Sequence, residues 1–132
     1  MTQLLDSAGK PYPHHLVIVI AAGFLAALTL LLHGNALGGY WRFDDPVQLL
    51  YVVEHPGVIG YFLSPGQWQE LSVPFFTPWL MLDYRLDLAL FGLNPAMFYA
   101  HHLLVIWLVA LLTFILLNRY VGVVWSGVAA SL

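Results

Sequence analysis

Two stretches of this chain run for the width of a bilayer without an Asp, Glu, Lys or Arg, and nothing else in the sequence constrains its fold as much. The first is Leu16 to Leu32, LVIVIAAGFLAALTLLL. At ~1.5 Å per residue it covers roughly 26 Å as a helix, close to the ~30 Å of a hydrocarbon core. The second is Met97 to Leu117, MFYAHHLLVIWLVALLTFILL, long enough to cross with some tilt. Tyr12, His14 and His15 stand before the first stretch and His33 after it, where interfacial side chains belong. His101 and His102 sit near the first turn of the second, so their cost is that of an interface rather than of the bilayer centre. A third apolar run, from Val121 to Leu132, covers only ~18 Å as a helix, too little to cross. It is expected to stop in mid-span, to lie along the interface, or to be part of a longer protein.

Composition narrows the class further. Of 132 residues, 61% are hydrophobic and 8% charged, far from the roughly 45–50% and 25% of soluble domains. Four Lys and Arg against seven Asp and Glu leave no basic surface for nucleic acid. With no cysteine, disulfide scaffolds, zinc ribbons and thiol nucleophiles are excluded. Gly34-Asn35-Ala36 is a passable signal-peptidase site. The apolar run before it is longer than the usual ~7–15 residues of a signal core, so that run is expected to stay as a span.

Orientation follows from the few cations. Lys10 precedes the first span and Arg119 follows the second, while Arg42 and Arg85 share the intervening loop with six acidic residues. The positive-inside rule then puts the N-terminus in the cytoplasm and loop 34–96 outside it, with the bacterial inner membrane as the expected location.

The loop holds most of the charge and is the place to look for chemistry. Gly34 to Gly39 reads as a flexible exit. Asp44-Asp45-Pro46 suits a helix start, with either aspartate as cap, and the helix is expected to run from Pro46 to His55, before Pro56-Gly57. Gly57 to Pro74 is turn-rich, with Tyr61 and Trp68 as interfacial aromatics. From Phe75 to Leu93, Leu80, Leu82, Leu86, Leu90 and Leu93 alternate with Asp83, Arg85 and Asp87, as in an amphipathic helix on a membrane surface. The expected fold is an all-α membrane protein, a single membrane domain over 1–132. It has two full transmembrane helices, at about 14–33 and 97–117, a partial third at 121–132, and two short interfacial helices in the extracytoplasmic loop.

Four landmarks occur in order: Trp41, Phe43, Asp44 and Asp45; Pro78; Leu82-Asp83-Tyr84; and Phe91-Gly92-Leu93-Asn94-Pro95. Between two spans, this order resembles the N-terminal part of polytopic GT-C-type glycosyltransferases, the polyprenyl- or dolichyl-phosphate-sugar-dependent, mannosyltransferase-like membrane enzymes. The resemblance covers roughly Asn35 to Leu117. It implies that Asp44 is the carboxylate that activates the acceptor or holds a divalent ion, with Asp45 its neighbour. It also implies a polyprenyl-phosphate sugar as donor and Mg²⁺ or Mn²⁺ as the ion. The chain departs from the family pattern at Thr77-Pro78, where Arg-Pro is frequent, at Tyr99 and His102, where His and Asn are usual, and at Ile106, where a further His is expected. The family also has many more spans than two.

Three functional expectations follow. The first is a non-catalytic accessory subunit of a larger membrane complex, respiratory or photosynthetic, with GT-C-like ancestry. Its partners would be larger membrane subunits and lipids, packed on the small residues Ala22, Ala26 and Thr29, with Gly23 and Ala27 beside them. In this case Asp44 and Asp45 only cap a helix. The second is a glycosyltransferase fragment in which Asp44 is functional. The third is a haem or chlorophyll binder that uses His33, His101 or His102 as axial ligand; a bis-His haem needs facing histidines at similar depth. No Ser-His-Asp order, Gly-rich phosphate loop or His-x-x-x-His pair is present.

Overall fold

The computed structural model describes residues 13–70 and 77–132, Glu70 by its backbone alone. Lys10 and Tyr12 lie outside the described residues, as does the start of the expected loop helix at Phe75 and Phe76. Every regular element described is helical: α1 (His14–His33), α2 (Asp45–Glu54), α3 (Gly60–Leu63), α4 (Pro65–Glu70), α5 (Pro78–Phe91), α6 (Pro95–Asn118) and α7 (Val123–Ala130). Two helical stretches, His14–Gly38 and Pro95–Asn118, are long and apolar enough to cross a membrane.

The exit from α1 is not the loose glycine linker expected from Gly34 to Gly39. Gly34 keeps a right-handed helical backbone, φ −59° and ψ −22°, and the chain tightens into a 3-10 helix over Gly34–Gly38. No proline or β-branched residue interrupts it there, and the last turn winds on with shorter-range hydrogen bonds.

The chain forms two compact units. The first holds α1, α7 and the part of α6 from Ala100 onward. In α1, Leu25 and Thr29 are buried and Ala22 and Ala26 half-buried, while Gly23 and Ala27 face outward. The small side chains leave the α1 backbone approachable, and the Trp107 indole N–H donates to the Ala22 carbonyl at 2.9 Å. In α7 the buried Ser126 hydroxyl donates to the Gly122 carbonyl at 2.7 Å. Gly122, at φ +82°, makes the turn into that helix. Between α1, Phe114 and α7 lies an open apolar groove of about 530 Å³.

The second unit runs from Leu37 to Tyr99 and has an aromatic core: Leu49, Tyr51, Val52, Tyr61, Met81, Tyr84 and Phe98, flanked by Trp41, Phe62, Trp68, Leu88 and Phe91. Trp41 meets Phe98 edge to face at 5.0 Å, a preferred aromatic geometry. Buried polar tips find backbone partners. The Tyr61 hydroxyl donates to the His55 carbonyl at 2.6 Å and the Trp68 indole to the Tyr61 carbonyl at 2.8 Å. These two bonds order the Gly57–Glu70 region, which holds α3 and α4 where turns were expected.

The α5 helix forms where expected, but several of its leucines are exposed while Leu88 packs on the core. Pro78, Met81, Tyr84 and Asp87, three residues apart, make the buried face, whereas Leu80, Leu86 and Leu90 are exposed. Asp87, read from the sequence as part of a polar face, is fully buried. The α5–α6 junction follows from its residues. Gly92 stops α5 at φ +59° and ψ −150°, a backbone region that is essentially glycine's own. Asn94 accepts the Met97 N–H, and Pro95 opens α6 at a position where no N–H is missed.

A candidate acceptor cleft beside Asp44

Asp44, Asp45 and the start of α2 border a cleft of about 370 Å³, lined also by Arg42, Phe43, Gln48, Leu80, Tyr84 and Tyr99. The entry to α2 is a tight reversal in which the Asp45 N–H donates to the Arg42 carbonyl at 2.9 Å. Phe43 has φ +46°, and Asp44 follows at φ −87°, ψ −7°. That sign pattern is the one of a type II′ turn, whose first central position ordinarily takes glycine.

The two aspartates have different roles. Asp45 is held on both oxygens. The Tyr84 hydroxyl donates to Oδ1, and the Tyr99 hydroxyl (2.6 Å) and the Arg42 backbone N–H (2.9 Å) donate to Oδ2. The Tyr99 oxygen also lies 3.1 Å from the Tyr40 carbonyl, and its one proton belongs with the shorter, charged contact. Burial, with the hydrogen bond and negative charge of Asp45 added, pushes the Tyr84 hydroxyl well above the ordinary tyrosine range. Tyr84 therefore stays a neutral donor.

Asp44 is exposed and its carboxylate accepts no hydrogen bond among the described residues. This corrects the expectation that the aspartates cap α2. Asp44 stands at the cap position, but its side chain makes no cap bond. Asp45 turns back to Arg42 and the tyrosines. The start of α2 relies instead on Pro46, which has no N–H to satisfy.

A divalent ion does not fit this cleft. Mg²⁺ and Mn²⁺ want several hard oxygen ligands, and both Asp45 oxygens already accept hydrogen bonds from within the unit. Asp44 remains as the one carboxylate without internal bonds. The histidine candidates belong to the other unit. His33 is exposed at the last residue of α1. His101 and His102 are half-buried neighbours on α6, their rings 6.1 Å apart. Adjacent helical residues point ~100° apart, so at most one of the pair could turn to any one iron.

Of the lining residues only Asp44 and Asp45 are marked as site residues by the sequence. Gln48 lies one helical turn after Asp44, a spacing that puts both on one face. Tyr84 belongs to a landmark and Tyr99 to a departure from the family pattern, and their convergence on Asp45 comes only with the fold. Comparison with protein-family models, with curated proteins and with solved structures gives no match for this chain.

Proposed function

We propose that this chain inserts in a membrane through α1 and α6 and carries, on an extracytoplasmic loop, the acceptor side of a GT-C-like glycosyl-transfer site, with Asp44 as general base. One observation carries this reading: of two adjacent carboxylates, one is fixed by two tyrosines and a backbone N–H, while the other is held beside it at the cleft without a partner. A helix cap would need the opposite arrangement. In the transfer, the Asp44 carboxylate takes the proton of the acceptor hydroxyl as that oxygen bonds to the donor's anomeric carbon. The bond from that carbon to the lipid phosphate breaks, and the phosphate leaves with its electron pair. Positioned proton transfer of this kind contributes ~10²–10⁴-fold. Asp45 orients the turn and does not touch the reacting atoms.

The exposed apolar residues of the loop support helices or lipid packed around it. Val47, Leu50 and Val53 form one stripe on α2, and Leu86 and Leu90 lie exposed on α5. In the transferase reading, α5 lies on the membrane surface, α7 is a partial span, and further segments supply the donor groove. The same stripes favour a second reading, a non-catalytic accessory subunit packed in a larger complex.

One experiment separates the two. The protein is purified in mild detergent from native membranes, its co-purifying chains are identified by mass spectrometry, and sugar transfer from polyprenyl-phosphate donors is measured. Transfer that Asp44→Asn reduces by ~10² or more, with assembly intact, supports the transferase. A stoichiometric set of larger subunits, with no transfer affected by Asp44→Asn, overturns it in favour of the accessory role.

A further inference from the structure

We propose that the cleft beside Asp44 is a saccharide subsite, in which Phe43 supplies the face on which a pyranose ring stacks and Gln48 accepts one of its hydroxyls. The inference rests on the transferase reading and adds the chemical class of the acceptor: a sugar, rather than a protein side chain or a lipid alcohol.

Two independent features point to a ligand. Phe43 takes a left-handed backbone, φ +46°, at a turn position that glycine fills without strain. Its ring is 97% exposed, so no packing within the unit compensates the strain. The bonds between Asp45 and Arg42 hold the turn in this form, and strained backbone of this kind clusters at active and binding sites. Gln48 is the second feature. Only 7% of it is exposed, and its Oε1 is buried with no hydrogen-bond partner. A buried acceptor without a donor is unfavourable, and Gln48 lines the same cleft as Phe43 and Asp44. A ligand hydroxyl reaching Oε1 would supply the missing donor.

The remaining lining selects the ligand. A pyranose has one largely C–H face and an edge of hydroxyls that both donate and accept. The cleft offers an aromatic face at Phe43, acceptors at Asp44 and Gln48, and donors at Arg42. A phosphate would meet two carboxylates for one arginine, and an acyl chain would bury those charged groups without partners. At about 370 Å³ the cleft is within the ~300–1,000 Å³ of small-molecule sites.

The test uses the full chain in phosphatidylcholine–phosphatidylglycerol nanodiscs, titrated with methyl glycosides of glucose, galactose and mannose. Binding is read by saturation-transfer NMR. The expected result is saturation of the ring C–H protons of at least one glycoside, reduced about tenfold or more by Phe43→Gly and by Gln48→Leu. Both variants should melt no lower than the parent, because one relieves the turn and the other removes the orphan acceptor. A folded Phe43→Gly or Gln48→Leu protein that binds like the parent overturns the proposal, as does absence of saturation with all three sugars. A Phe43→Trp protein adds a further check. Emission quenched by brominated lipid and unmoved by sugar would make residue 43 a membrane anchor and overturn the saccharide role. Asp44→Asn keeps the two readings apart: sugar binding that survives this variant, with transfer unchanged by it, leaves the subsite standing and sinks the transferase. Transfer that Asp44→Asn abolishes, without sugar binding, does the reverse.

Discussion

Tyr84 and Asp45, 39 residues apart in sequence, are joined by a hydrogen bond from the phenol to the carboxylate Oδ1, which ties the middle of α5 to the start of α2. With Tyr99 on the other oxygen, Asp45 is the point where α2, α5 and the start of α6 are joined by polar bonds. Asp44 beside it carries none of this.

That division predicts unequal costs for the two isosteric amides. Asp45→Asn removes the charge that three donors share. It should cost about 1.5–3 kcal/mol, the range for hydrogen bonds to charged groups. Asp44→Asn should stay within ~0.5 kcal/mol, as for an ordinary surface change. Thermal unfolding in detergent measures both. Equal losses would show that Asp44 is structural after all.

Alkaline pH should expose the Tyr84 bond. Its hydroxyl titrates above the ordinary tyrosine value in the folded chain, chiefly through burial and then through Asp45. The folded state therefore holds this proton more tightly than the unfolded one. The stabilising contribution is complete below the unfolded tyrosine value near pH 10 and is lost as the pH rises beyond it. Ultraviolet titration of the tyrosinates should show one group that ionises only as the protein unfolds. In Tyr84→Phe that late component should be missing. A late component that persists in the variant would assign it to another tyrosine, Tyr61 first, whose hydroxyl burial also raises.

The Trp107 bond to Ala22 makes a smaller prediction. Trp107→Phe keeps an aromatic ring on α6 but loses the donor to the α1 carbonyl. Polar contacts between membrane helices average ~0.6 kcal/mol and reach ~1.7, so the variant should lose about that much in a detergent-unfolding series. Ala22→Leu should cost more, because the added side chain obstructs the approach of the indole. If Ala22→Leu were neutral, the close approach at this position would be unimportant.

The sequence made some of this legible, for identifiable reasons. The long helices follow from uncharged runs that no loop could carry. The ends of α2 follow from Asp45-Pro46 and from Pro56-Gly57, and the end of α5 from Gly92, where the backbone admits little else. Which face of α5 turns inward was not legible. Periodicity assumes that leucines seek the interior, yet the buried face of α5 is made by a proline, a methionine, a tyrosine and an aspartate. The helices α3 and α4 are too short for a period to show. The site was half legible. Asp44 and Asp45 could be named from their motif, but their opposite roles depend on Tyr84 and Tyr99, which approach from remote positions. The strain at Phe43 leaves no compositional trace, because only the backbone angle reveals it.

The outward leucines of α5 and the valine–leucine stripe of α2 have a practical consequence. Residues 37–99 look by charge count like a soluble ectodomain, ready to be cut free and crystallised in buffer. Yet Asp87 and the tyrosines Tyr51, Tyr61 and Tyr84 are drawn inward, while Val47, Leu50, Val53, Leu86 and Leu90 form an apolar outer coat. Released into water, that coat would promote self-association. The piece would need an amphiphile around it as much as the long apolar helices α1 and α6 do, and biochemistry on this cleft belongs in a lipid disc from the outset.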